Sequence, residues 1–186
     1  MRKIFIDGGA NTGISVQLFR QKYPQAESFE IHSFECNPKL LSKFKQSIKE
    51  VTLHEKALST KDGVANFYIG NNLSSTLRTD KTSGDIQYSR PIQVATVDLA
   101  NFIKSNFSKE DYIILKLDVE GAEYDIVPHL LKEDIFSGWV DELFGEWHPG
   151  KLTEVSKEDH TAIVEQLSKK GFKMKDWCAE KGKLEL

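Results

Sequence analysis

The run Tyr112-Ile113-Ile114-Leu115-Lys116-Leu117-Asp118-Val119 constrains the fold of this chain more than any other stretch. A strand buried on one face alternates apolar with polar residues, whereas a run apolar at nearly every position belongs to a strand covered on both faces. Such strands sit in the middle of parallel sheets flanked by helices.

The flanking sequence supplies the rest of that architecture. A short strand at Ile4-Phe5-Ile6 runs into a glycine turn, and Ile14, Leu18 and Phe19 predict a helix over 13–23, ended by Pro24. A strand over 31–35 follows, and Asn37-Pro38 supplies an N-cap and a first helical residue for a helix carrying Leu40, Leu41, Phe44 and Ile48. Further strands are predicted over 51–58, 64–69 and 93–96, the second of them antiparallel. Leu99, Phe102 and Ile103 mark a helix after Asp98. After the apolar run, Glu120-Gly121-Ala122-Glu123 turns into a helix that Pro128 is expected to kink or end before Leu130 and Leu131. A strand over 140–147, a helix over 156–170 capped by Ser156 and closed by Gly171, and a hairpin of 172–177 with 183–186 complete the chain. Alternating strands and helices predict an α/β, doubly wound sheet with right-handed crossovers. Ligands in such sheets bind beyond the C-terminal strand ends.

At 186 residues the chain has the length of one domain, expected to span 1–186, and it can bury a core without disulfides. Hydrophobic residues at 39% and charged residues at 28% are ordinary for a globular protein and exclude disorder. The net charge of −3 comes from 25 basic and 28 acidic side chains, so mixed that no basic stripe offers itself to nucleic acid. Cys36 and Cys178 fit neither a disulfide framework nor a zinc ribbon, and a reducing cytoplasm is the expected compartment. Met1-Arg2-Lys3 leads straight into a strand too short for a signal peptide or a membrane span, so no membrane insertion is expected.

The turn Asp7-Gly8-Gly9-Ala10-Asn11-Thr12-Gly13 is where a cofactor is expected, because glycine lets main-chain N–H groups come close to a ligand. It differs from the dinucleotide pattern G-x-G-x-x-G, which aligned on Gly8 and Gly13 needs glycine where this chain has Ala10. An acid directly before the glycines suits an ammonium or sulfonium better than a pyrophosphate, which favours S-adenosylmethionine over NAD. Asp7 also suits a turn-stabilising aspartate, and both roles can hold together. Glu35 falls 22 residues after Gly13, close to the roughly 20 expected for an acid that accepts hydrogen bonds from a ribose diol. The bland alternative is a solvated strand end.

Alternation puts Lys116 and Asp118 on one face of the apolar strand, and a charge there needs a reason. Lys116 either pairs with a neighbouring carboxylate or orients an acceptor, while Asp118 at the strand tip faces the reacting group. Glu146 and His148 stand at another C-terminal strand end, beside Trp147, an aromatic ring suited to a sugar face. His148 is the candidate base, against the reading of an exposed loop residue before Pro149. His32, His54, His129 and His160 show no evident partners and are read as structural. The polar segment 70–90 is long for a loop in a compact domain and is expected to close over the site, with Ser74 and Ser75 near it.

Five blocks in order resemble the FkbM family of S-adenosylmethionine-dependent methyltransferases. They are Asp7 through Gly13, Phe34-Glu35-Cys36-Asn37-Pro38, Lys56-Ala57-Leu58-Ser59, Ser74-Ser75-Thr76-Leu77, and Leu115 through Glu123. The resemblance implies a Rossmann-like class I methyltransferase sheet, seven-stranded and mainly parallel, with an antiparallel strand near the C-terminus. It also implies O-methylation, with sugars among the usual acceptors. Carried over by position, Asp7, Gly8, Gly9, Ala10, Asn11, Thr12 and Gly13 would hold the methionine part, Glu35 the ribose, and Asn37 and Ala57 the adenine, with Ser75 and Asp118 also at the cofactor. Cys36-Asn37-Pro38 departs mildly from the family's second block, in which proline usually stands one residue earlier.

An alcohol must lose its proton before it accepts a methyl group, by a general base or by a metal that lowers its pKa. His148, Asp118, Glu146 and Lys116 are the catalytic candidates. Asp118, Glu120, Glu123 and Glu146 offer oxygen ligands for magnesium or calcium, without diagnostic spacing, so a divalent metal stays unassigned. The expected partner is a small-molecule or glycan acceptor with a free hydroxyl. The alternatives are a NAD-dependent oxidoreductase and a non-catalytic adenosyl-ligand binding module.

Overall fold

The computed structural model describes residues 1–71, 74–178 and 181–186. In chain order the elements are β1 (Lys3–Gly8), α1 (Ile14–Lys22), β2 (Glu30–Phe34), α2 (Pro38–Ser47), β3 (Thr52–His54), β4 (Ala57–Ser59), β5 (Gly63–Phe67) and β6 (Ile92–Asp98). There follow α3 (Leu99–Asn106), β7 (Tyr112–Leu117), α4 (Glu123–Lys132), β8 (Glu142–Gly145), α5 (Lys157–Lys169), β9 (Lys175–Cys178) and β10 (Lys183–Leu184).

Seven strands form one sheet in the order β10-β9-β8-β7-β1-β2-β3. All its neighbours are parallel except the β9–β10 pair, which is the C-terminal hairpin. The apolar run forms β7, between β1 and β8. Its alternate residues serve two cores. Ile113, Leu115 and Leu117 join Ile4, Ile6, Ile103, Ile126, Leu130 and Leu167 on the face covered by α3, α4 and α5. Ile114 joins Phe5, Phe19, Phe44 and Phe144 on the face covered by α1 and α2. Phe5 stacks on Phe19 with ring centroids 4.1 Å apart. Each such side chain, fully buried, contributes about 1.5–3 kcal/mol, and the two layers together fix the sheet.

A second sheet of three strands, β4-β6-β5, pairs β4 and β6 in parallel and β5 and β6 antiparallel. The single strand expected over 51–58 is therefore two. Thr52–His54 adds to the edge of the large sheet beside β2, and Ala57–Ser59 turns away to β6. Pro128 does not end α4, since the helix runs on to Lys132. Proline costs one intrahelical hydrogen bond, and burial of Ile126, Val127 and Leu130 outweighs that loss. The expected helix caps form, with Asn37 accepting from Lys39 N at 3.1 Å and Ser156 closing a capping box with Asp159. Among the described residues no helix is long and apolar enough to cross a membrane.

β1 leads through β2 to β3 on one side, and the chain then returns to lay β7 on the other side of β1. The C-terminal tips of β1 and β7 are thus the point where strand order reverses, the place such sheets reserve for ligands.

Candidate active site

A cavity of about 820 Å³ opens at those tips, a size suited to a cofactor with part of a second ligand. Gly9, Ala10, Asn11 and Thr12 of the glycine turn line it, with Glu35, Asn37 and Ala57 from the neighbouring strand ends and Ser75 from the 70–90 segment. Lys116, Asp118, Glu146 and His148 line it as well. Asp7, Gly8 and Gly13, expected at the cofactor, are buried beneath this lining.

The turn has a packing reason for its glycines. Gly9 has φ +74°, and a Cβ there would lie 1.9 Å from the Asp118 carbonyl oxygen, so β1 and β7 can converge only over glycine. The N–H groups of Gly9 and Ala10 do not face the cavity as free donors. Both donate to Phe34 O, at 3.1 and 3.0 Å. Asn11 N donates to Glu35 Oε2 at 2.9 Å, and Asn37 N donates to Glu35 Oε1 at 2.7 Å. Glu35 is thereby fixed just past the end of β2 with its carboxylate at the cavity, and burial pushes its pKa up against those two N–H donors. Asn37 Nδ2 donates to Ser75 Oγ at 3.3 Å, which links this end of the cavity to the 70–90 segment.

Asp7 and Lys116 are register partners on adjacent strands, so their side chains leave the sheet on the same face. They form an ion pair, Nζ to Oδ1 3.2 Å, with both side chains buried. Asp7 Oδ2 accepts from Ser15 Oγ at 2.6 Å. Lys116 Nζ donates to Gly8 O and Gly9 O at 3.0 and 2.9 Å and lies 3.8 Å from Asp118 Oδ2. Burial alone would lower the lysine pKa, but Asp7, Asp118 and Glu35 outweigh it and hold the ammonium charged. The plain reading of Lys116 as half of an ion pair is the geometry seen, and the same contacts tie the glycine turn to β7.

At the other end of the cavity, Asp118 follows β7, Glu120 sits at φ +55° in the next turn, and Glu123 opens α4. Glu123 is fully buried and accepts from Val119 N and Gly121 N, both at 2.7 Å, so it shapes the turn that carries Asp118 and Glu120. His148 is 2% exposed, against the reading of an exposed loop residue. Its Nε2 lies 3.9 Å from Asp118 Oδ1 and 3.6 Å from Glu120 Oε2, and its Nδ1 lies 3.3 Å from Glu123 Oε1. Burial pushes the Asp118 carboxyl up to about 6, with Lys116 pulling the other way. For His148, burial works downward and is outweighed by Glu123, Glu120 and Asp118, which leave its pKa raised. Trp147 does not share this face. Just past the end of β8, its ring packs 5.1 Å from Tyr124 and 5.4 Å from His160.

The FkbM methyltransferase domain matches residues 7–174. The chain belongs to the FkbM methyltransferase family. Methyltransferase 1 of Beauveria bassiana (strain ARSEF 2860) is 26% identical over 189 residues, a stretch covering 90% of this chain and 71% of that protein. No solved structure matches the chain at a significant level.

In this FkbM domain the described residues of the 70–90 segment, all but 72 and 73, form a wall of the site. Its Lys81 side chain, wholly buried, pairs with Glu120 and donates to Ser74 O at 3.0 Å. Thr76 Oγ1 donates to Glu120 O at 2.8 Å, and Thr82 N donates to Lys151 O at 2.8 Å. Arg78 bridges Asp80 at 2.7 Å and Asp125 at 2.9 Å. Lys81 was not legible as a site residue, because its segment carries no periodicity and its partner is 39 residues away. The other histidines also have partners after all. His32 Nδ1 meets His54 Nε2 at 3.0 Å, His129 Nε2 meets Asp98 at 2.9 Å, and His160 Nδ1 meets the Tyr124 hydroxyl at 3.0 Å.

Proposed function

We propose that this FkbM domain moves the methyl group of S-adenosylmethionine to a hydroxyl oxygen, most naturally on a sugar or glycan. The observation that carries the reading is the placement of Glu35: a buried carboxylate held at the cavity by Asn11 N and Asn37 N, as a ribose diol requires of its acceptor. Gly9 to Thr12, Asn37 and Ala57 would hold the donor, and Asp118 would be the carboxylate available to its sulfonium, since the charge of Asp7 is already paired with Lys116.

Methyl transfer is an in-line displacement with a good leaving group, so holding donor and acceptor in line supplies much of the acceleration. The hydroxyl proton would pass to His148, whose Nε2 has Asp118 and Glu120 as neighbours. Glu146, exposed at the rim, is placed to meet the acceptor.

The test is ligand-induced stabilisation. S-adenosylmethionine is expected to raise the melting temperature and NAD to leave it unchanged. A shift with NAD alone supports an oxidoreductase, and no shift with either removes the donor assignment. Donor binding without methylation of any hydroxyl acceptor would leave an adenosyl-binding module.

A further inference from the structure

We propose that His148, Glu123 and Asp118 form a binding site for one divalent transition-metal ion, of the Mn²⁺ or Zn²⁺ type, at the acceptor end of the cavity. One ligand atom from each of the three lies within 4.8 Å of the others. The inference rests on the hydroxyl-methylation reading and specifies how the acceptor is activated.

Acidic groups gather at many protein surfaces without a metal, so the argument turns on His148. It is 98% buried by its 2% exposure, yet Nδ1 has no hydrogen-bond partner among the described residues. Glu123 Oε1 is the nearest acceptor, 3.3 Å from Nδ1, but the contact lacks hydrogen-bond geometry, so the ring nitrogen stays without a partner. An unpartnered buried nitrogen is costly, whereas a cation would use its lone pair together with those left on the Glu123 oxygens.

The charges agree. Lys81 is taken up by Glu120, and Lys116 lies closer to Asp7 than to Asp118, at 3.2 against 3.8 Å. Asp118 and Glu123 are left with the imidazole as their common neighbour. Two carboxylates and one imidazole suit Zn²⁺, or Mn²⁺ with its oxygen preference, better than magnesium or calcium, which take all-oxygen sites. Metal–ligand bonds of about 2.1 Å need ligand atoms roughly 3–4.3 Å apart, so one side chain must close in by a few tenths of an ångström. Asp118, 29% exposed, has the room to do so. A hydroxyl bound to the ion would have its pKa lowered, and His148 would then be a ligand in place of a free base.

The experiment is Mn²⁺ binding to protein first dialysed against EDTA, followed by electron paramagnetic resonance of the free ion and by calorimetry. One saturable site per chain is expected. His148→Ala and Asp118→Asn, each checked for native far-UV circular dichroism, are expected to weaken it at least about tenfold. Absence of a saturable site, or unchanged affinity in both folded variants, overturns the proposal. Because Mn²⁺ binding and the shift with S-adenosylmethionine are read separately, a donor shift without metal binding sinks this inference alone. Metal binding without a donor shift sinks the donor assignment and leaves the site.

Discussion

Lys116 is a charge enclosed in the central strand, and its worth lies in what would be left behind without it. Lys116→Met strands the Asp7 carboxylate in the core and removes the donor for two turn carbonyls. Removing one partner of a buried pair costs about 3–5 kcal/mol, and a loss of that order is expected in urea unfolding. A loss under about 1 kcal/mol would mean the pair is not enclosed as described. Glu35 is expected to act on binding. Hydrogen bonds to a charged acceptor contribute about 1.5–3 kcal/mol, so Glu35→Gln should weaken S-adenosylmethionine about 10- to 100-fold by calorimetry. An unchanged affinity would remove Glu35 from the ribose.

Between elements, the β2–β3 edge carries a pH dependence of its own. His54 stacks on Phe34 with centroids 4.3 Å apart and shares a hydrogen bond with His32. Burial, with smaller contributions from His32 and Lys56, lowers the His54 pKa from 6.5 to about 4. The folded state therefore binds fewer protons than the unfolded state between those values. The stability is fully present above about pH 6.5 and is lost as pH falls toward 4. His54→Phe, which keeps the stacking, is expected to flatten the melting temperature across that window, and an unaltered slope would exclude His54 as the source. The strap over 70–90 shows the same dependence on neighbouring elements. Its ties reach Glu120 just before α4, Asp125 in the first turn of α4 and Lys151 beyond β8, so its sequence alone marks it only as a long polar loop.

For the whole molecule, a donor present at 100 times its Kd adds about 2.7 kcal/mol of stability. In a chain of 186 residues that amounts to a rise of roughly 5–11 °C, the shift expected with S-adenosylmethionine in a calorimetric scan. What the sequence determined by itself is what local chemistry encodes. The apolar run of β7 required a sheet covered on both faces, and Asn37 and Ser156 announced their helices as caps. The glycines of 8–13 marked a tight turn and Glu35 an acid at the next strand end, while the close approach of Gly9 to the Asp118 carbonyl oxygen came only with the fold. Only the tertiary structure decided what the charged residues face. Asp7 turned inward because its register partner is Lys116, Trp147 packed on Tyr124 of α4, and 51–58 divided because two sheets compete for it. His148 met Glu123 because α4 begins where the loop after β8 passes. Strand periodicity and capping act over a few residues and can be read in order, whereas the partner of a buried charge is set by which strand tips the fold brings together.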